Sequence, residues 1–300
     1  MYKQHFGLTE KPFNLTPDPE YLYLSSKHKI GLSLLEYGLM ETAAGLSVIS
    51  GEVGAGKTTL IRKLMRRIDH EKLTIGIIYN TNTFDEGLMS WVAAAFNLDH
   101  ENKDGLIIFR EFQNFLIQEY AKGLRTVLIV DEAQNLGGAA LEELRMLTNI
   151  NADRDQLLQI VLVGQPQLLD ILQKQEYAQI AQRVSVEYHL MPLGLEEVKN
   201  YIVHRLEVAG VEREIFSEDA IKAVYYYSGG VPRLVNTLCD YALVHAYASE
   251  KTMVDLDIIV AVVQGRKIGG INHHVTDSKA VDQVKQELIV SCGVDLSSFN

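Results

Sequence analysis

Two cysteines in 300 residues, Cys239 and Cys292, lie too far apart to suggest a disulfide framework, and neither has a C-x-x-C partner from which to build a zinc site. Both are expected as reduced thiols, Cys239 within a core. No apolar run approaches the roughly 20 residues of a membrane-spanning helix, and Met1-Tyr2-Lys3-Gln4-His5 does not open a signal peptide, so a cytoplasmic location is expected. Basic charge is also scarce. With 28 Lys and Arg against 39 Asp and Glu, the formal net charge of −11 argues against coating DNA without regard to sequence, which depends on a basic surface. Lys63, Arg66 and Arg67 do form a local basic cluster, read as a solvated helix face. Repeats and low-complexity tracts are missing. Apolar residues at 47% and charged residues at 22% describe an ordinary globular chain.

A chain of this length accommodates two packed domains. Residues 1–40 hold Pro12, Pro17 and Pro19 and an aromatic-rich stretch from Phe6 to Tyr23, the pattern of an irregular leader packed on the core domain. Its end, Lys27–Met40, has helical spacing. Short apolar runs at Leu46–Ser50, Leu73–Tyr79, Thr126–Asp131, Leu158–Gly164 and Val186–Leu190 read as strands. Helical segments around Phe84–Phe96, Leu106–Lys122, Ala139–Thr148 and Gln167–Gln173 separate them. Such alternation predicts an α/β core over 41–192, a parallel sheet covered on both faces.

After Pro192 the strand pattern ceases. Leu195–Ala209, Ser217–Ser228, Pro232–Ser249 and Asp255–Arg266 all read as helices of a small all-helical domain, 193–268. Ser217 suits an N-cap, Gly229-Gly230 a stop, and Pro232 a first turn. The tail, 269–300, has one helical stretch, Ala280–Val290, and is expected to be mobile or to dock on a partner. His273-His274 within it lack a third metal ligand at suggestive spacing, and Tyr225-Tyr226-Tyr227 are read as packing the helical domain rather than stacking on bases.

The chemistry begins at Gly51-Glu52-Val53-Gly54-Ala55-Gly56-Lys57-Thr58, which fits the phosphate-binding template G-x-x-x-x-G-K-[ST] without a gap. Glycines let backbone N–H groups approach phosphate oxygens, Lys57 reaches the β/γ-phosphates, and the Thr58 hydroxyl is suited to hold Mg²⁺. A strand precedes the loop and a helix follows from Thr59, so the loop crowns a helix N-terminus that favours anions. Hydrolysis needs more than a cradle. Leu128-Ile129-Val130-Asp131-Glu132 places Asp131 at a strand end to hold Mg²⁺ through water and Glu132 beside it to polarise an attacking water; an ordinary strand exit is the alternative, which the upstream phosphate loop disfavours. Gln165, between a strand and Pro166, is a candidate to present its amide near a γ-phosphate. Arg233, early in a helix of the second domain, and Arg183, before the last strand, are candidates to neutralise transition-state charge, Arg183 from a neighbouring subunit. Surface salt bridging is the alternative for both.

With these motifs in place, the chain resembles the AAA+ ATPases of the ExeA-like group from bacterial secretion systems, in particular the secretion ATPases of PEP-CTERM/exosortase and exopolysaccharide loci. The matching segments are Phe6-Gly7-Leu8, Lys11-Pro12-Phe13, Pro17-Asp18-Pro19, Leu22-Tyr23-Leu24-Ser25, the loop 51–59, Asp131-Glu132-Ala133-Gln134-Asn135, Leu141-Glu142-Glu143-Leu144-Arg145, Val163-Gly164-Gln165-Pro166, Gln182-Arg183 and Gly229-Gly230-Val231-Pro232-Arg233. The resemblance implies a five-stranded P-loop NTPase core with a helical lid, ATP as the nucleotide, and homo-oligomeric assembly. In that scheme Gln165 takes the first sensor position, Arg233 the second, and Arg183 the finger. It also implies work on an envelope secretion or polysaccharide-export system, with peripheral attachment at the inner membrane left open. Where many members carry extra arginines this chain has Ala178 and Glu187. Longer ExeA-type proteins continue into a membrane span and a peptidoglycan-binding domain, for which this sequence shows no counterpart. Two other readings stand beside this one: a DNA-binding helper ATPase for transposition, disfavoured by the acidic charge, and a nucleotide-gated scaffold with little turnover.

Overall fold

The computed structural model describes residues 1–16, 18, 20–40, 45–68, 72–79, 87–152, 155–265 and 279–299. Strands β1 (Leu46–Gly51), β2 (Leu73–Ile78), β3 (Arg125–Val130), β6 (Leu158–Gly164) and β7 (Val184–Leu190) form one sheet, while β4 (Asn151–Ala152) and β5 (Asp155–Gln156) make a separate small hairpin. The helices are α1 (Tyr2–Phe6), α2 (Ser26–Met40), α3 (Lys57–Arg67), α4 (Leu88–Ala95), α5 (Gly105–Ala121), α6 (Gly138–Leu147), α7 (Gln167–Leu172), α8 (Ala178–Ala181), α9 (Leu195–Val208), α10 (Glu218–Ser228), α11 (Pro232–Ala248), α12 (Leu256–Gln264) and α13 (Lys279–Cys292).

Two compact units divide the chain. One holds 26–52 and 60–190; the other holds 1–25, 53–59 and 191–300. In the sheet unit the strand order is β2-β3-β6-β1-β7, with every pairing parallel. Strands β1 and β6 are buried along their whole length and β3 everywhere but at Arg125, which is why they read as apolar runs rather than alternating ones. Successive side chains still take opposite faces. Leu128 and Val130 share a core with α4, α5, α6 and α7, whereas Val127 and Ile129 share one with α2 and α3.

The helical unit is built from α1 and α9–α13. Ser217 caps α10 by accepting from the Ala220 N–H at 3.2 Å, Gly229 ends that helix in the left-handed region at φ 57°, and Pro232 opens α11. Gly230, at φ +75°, leaves no space for a β-carbon, which would fall 1.9 Å from the Leu193 carbonyl oxygen. Tyr225, Tyr226 and Tyr227 are buried in this unit's core.

Two expectations about the chain ends need correction. The leader is not one segment packed on the core domain. Tyr2, Phe6, Leu8, Phe13 and Tyr21 are buried in the helical unit's core, Phe13 edge-on to Phe216 at 5.9 Å, while α2 buries Leu32, Leu35 and Leu39 against the sheet. Each such burial contributes about 2 kcal/mol, so the aromatics follow whichever unit offers an apolar face. The tail is likewise not separate throughout. Val281, Val284, Leu288 and Leu296 join the helical core, and the Tyr227 hydroxyl donates to the Leu296 carbonyl at 2.9 Å. His273, His274 and the expected boundary at 268/269 lie outside the described residues. Cys239 is buried, and burial pushes its thiol well above the usual range; Cys292 is exposed. Among the described residues no helix is long and apolar enough to cross a membrane.

Candidate active site

The sheet aligns the strand ends that matter. Ser50 pairs in register with Gly164 and Val130 with Leu162, so β1, β3 and β6 all finish at one edge. Gly51 with Glu52, Asp131 with Glu132, and Gln165 therefore leave the sheet side by side, where ligands of open α/β sheets are bound. Asp131 is 7% exposed, and its backbone N–H donates to the Ile78 carbonyl at 2.8 Å, holding the turn to β2. The Asp131 Oδ1 accepts from the Glu132 N–H at 2.9 Å.

Glu132 has φ 54° and ψ 36°, a left-handed conformation that costs a non-glycine residue about 1 kcal/mol or more. Three contacts hold the region in place. Gln134 Nε2 donates to Glu132 Oε2 at 2.7 Å, Gln165 Nε2 donates to the same oxygen at 3.3 Å, and the Gln165 N–H donates to Gln134 Oε1 at 2.9 Å. Asp131 and Glu132 thus sit in one polar network with Gln134 and Gln165.

In the other unit, residues 53–59 form the rest of the loop. Gly54 and Gly56 adopt φ +82° and +101°, values that L side chains rarely take. Ala55 and Lys57 are buried, and α3 begins at Lys57 with Thr58 and Thr59 in a first turn that contains no acid. A helix N-terminus of this kind carries partial positive charge. Arg233, exposed in the first turn of α11, donates its backbone N–H to the Gly54 carbonyl at 3.3 Å, and a β-carbon on Gly54 would lie 2.5 Å from Arg233 Cβ. The glycine conformations, the buried lysine and the acid-free helix N-terminus are the features that a phosphate cradle requires.

Residues 40–172 match the AAA domain family. Over 249 residues the chain is 41% identical to General secretion pathway protein A of Aeromonas hydrophila; the match covers 83% of this chain and 45% of that protein, so the chain spans less than half the relative's length. The chain belongs to the ExeA-like group of AAA+ proteins. Its fold agrees with solved AAA+ structures at low identity. The ORC2 protein of Aeropyrum pernix, in its ADPNP–ADP complexes, superposes with a TM-score of 0.60 at 14% identity, over 95% of this chain and 85% of that one. The Drosophila ORC bound to DNA gives 0.64 at 14% identity, over 99% and 76%.

Within this AAA+ chain Arg183 is not brought to the other site residues. It immediately precedes β7, whose partner register runs from Leu46↔Val184 to Gly51↔Leu190, so it lies at the sheet's opposite edge, about 20 Å away for a strand of this length. There its guanidinium donates to the Thr148 carbonyl at 2.7 Å and the Thr148 hydroxyl at 2.9 Å, and also to Asn149 Oδ1. Gln134, by contrast, is a site residue that residue-by-residue reading missed. It lies in a short 3₁₀ turn, Ala133–Asn135, and its sequence signal is its place in the Asp131–Asn135 segment that carries the resemblance. Ser50 and His189 also pair at the same edge, Oγ to Nδ1 at 2.9 Å.

Proposed function

We propose that the protein binds ATP with Mg²⁺, hydrolyses it, and uses the cycle to drive assembly or remodelling of a bacterial envelope secretion or exopolysaccharide export system. The observation that carries the enzymatic part is the Glu132 carboxylate, fixed by Gln134 and Gln165 at the edge from which the phosphate loop departs. Bound Mg²⁺ supplies charge neutralisation on the transferring phosphoryl group.

The chain's own residues do the rest. Backbone N–H groups of 53–56 and the α3 N-terminus bind phosphate oxygens, Lys57 neutralises them, Thr58 and Asp131 hold the metal, and Glu132 orients and polarises water. Gln165 fixes the carboxylate and takes the first sensor role, and Arg233 brings a cation to the loop it already touches through Gly54. Arg183 serves a neighbouring nucleotide only by releasing Thr148 and Asn149, so in the resting chain it braces the end of α6. Homo-oligomerisation follows from that assignment. The secretory role rests on the identity to General secretion pathway protein A and is the coarser part of the reading.

Phosphate release from Mg-ATP by the purified chain tests the enzymatic part. Glu132→Gln is expected to keep ATP binding and lose turnover by about 10²-fold or more, and Lys57→Ala to lose both. Wild-type protein that binds no nucleotide would sink the proposal; tight binding without turnover would leave a nucleotide-gated scaffold. For the cellular role, unchanged export in a strain carrying only Lys57→Ala protein would remove the secretory assignment.

A further inference from the structure

Helix α3, KTTLIRKLMRR, carries five basic residues and no acidic one, on a chain whose formal net charge is −11. Lys57 belongs to the phosphate loop. The other four fall into two adjacent rows one helical turn apart, Arg62 with Arg66 and Lys63 with Arg67. Leu60, Ile61, Leu64 and Ile68 are buried in the sheet unit's core, which turns the basic rows outward; Arg62, Arg66 and Arg67 are exposed and Lys63 half-buried.

Helix α2 packs in the same core and continues this surface. Arg67 Nη1 lies 3.3 Å from Glu36 Oε1, tying the outer faces of the two helices together. Beside that bridge α2 exposes Tyr37 (55%) and, two turns earlier, Ile30 (54%), with Lys29 exposed as well. Four clustered cations next to an exposed aromatic and an aliphatic side chain are the components of an interfacial lipid site. The cations attract anionic headgroups, and the apolar groups enter the boundary of the acyl layer.

We propose that the outer faces of α2 and α3 form a docking surface for an anionic phospholipid bilayer. A nucleic-acid backbone would engage the same four cations and leave Ile30 and Tyr37 in water; a bilayer uses both sets. The overall negative charge makes the contact orienting, because surfaces rich in acid are repelled by the bilayer that attracts this one.

Flotation with vesicles of equal parts phosphatidylglycerol and phosphatidylcholine, without nucleotide, tests the surface independently of ATP chemistry. Binding is expected at low salt, to weaken as ionic strength rises, and to be absent with phosphatidylcholine alone. Arg62→Gln/Arg66→Gln should weaken it about thirtyfold, at roughly 1 kcal/mol per cation, and Ile30→Ser/Tyr37→Ser should weaken what persists at higher salt. Thermal melts of both variants verify folding, and the salt dependence of wild-type binding stands as a measurement that needs no variant. Absence of wild-type binding, equal binding to neutral vesicles, or undiminished binding by the charge variant overturns the proposal. So does charge-variant-sensitive retention of duplex DNA, or of a second copy of the chain, in place of vesicles.

Discussion

Gln165 Nε2 donates to Glu132 Oε2 at 3.3 Å across the gap between two strand ends, and Gln134 Nε2 donates to that same oxygen at 2.7 Å. A carboxylate aimed by two amides is oriented before any substrate arrives, which is how electrostatic and acid–base groups avoid reorganisation during reaction. Gln134→Ala and Gln165→Ala are each expected to lower kcat by about tenfold to a hundredfold with little change in KM for ATP, because each amide acts through the Glu132 carboxylate. Steady-state phosphate release at several ATP concentrations separates the two parameters. A rise in KM with kcat intact would make the glutamines binding groups instead.

Gly54 yields a sharper prediction, since its backbone angle and its neighbour forbid a side chain for separate reasons. At φ +82° an alanine is strained, and its β-carbon would meet Arg233 Cβ at 2.5 Å. Gly54→Ala is expected to weaken nucleotide binding at least tenfold and to cost about 1–3 kcal/mol locally. Arg233→Ala should not rescue it, because the offending atom is Cβ; Arg233→Gly should restore part of the affinity. Titration with a fluorescent ATP analogue reads both, and equal affinity in Gly54→Ala and wild type would contradict the assigned loop geometry.

Sequence periodicity located the sheet well because its strands are short apolar runs bounded by charge or glycine: Leu158–Gly164 coincides with β6, and the other four differ by at most two residues at an end. Caps carried similar information, as Ser217, Gly229 and Pro232 each hold the place their chemistry suggests. What sequence could not supply was the identity of the surface meeting a given apolar side chain. Tyr2 and Phe13 are equally at home in any core, so their apolar character does not say that they join the helical unit. The same limit hid the Gln134 network and the engagement of Arg183 with Thr148 and Asn149, contacts made by residues up to 35 positions apart.

Arg205 explains how the leader stays with the helical unit. Only 6% exposed, it donates through Nε to the Pro12 carbonyl at 2.5 Å, through Nη2 to the Asn14 carbonyl at 3.3 Å and through Nη1 to the Tyr201 hydroxyl at 2.7 Å, with its guanidinium 4.9 Å from the Tyr21 ring centroid. Arg205→Ala strands two carbonyls, leaves the Tyr201 hydroxyl with its bond to Asn236, and removes a cation–π contact, a loss of about 3 kcal/mol. Lysine cannot reproduce the planar fork, so Arg205→Lys should recover little. Limited proteolysis within residues 1–25 alongside urea unfolding is the measurement. Unchanged protection of that segment in Arg205→Ala would show that apolar burial alone holds it.

The acid sensitivity of the sheet unit should trace in part to Glu119. This carboxylate accepts from Lys122 Nζ at 2.6 Å and from the Thr74 hydroxyl, and those two bonds hold it below its ordinary value of 4.5 against the opposing effect of burial. A group whose acidity is strengthened on folding stabilises the folded state above its unfolded value and loses that contribution as pH falls through the folded one. Stability from Glu119 is therefore complete well above pH 4.5 and declines below it. Lys122 is 61% exposed, so salt screens its share, whereas the hydroxyl bond from Thr74 persists. Urea unfolding above and below pH 4.5 is expected to show a smaller acid loss in Glu119→Gln than in wild type. Thr74→Val should reduce that loss even in high salt, where Lys122→Ala should have little remaining effect. An acid loss in Glu119→Gln equal to that of wild type would transfer the effect to other carboxylates.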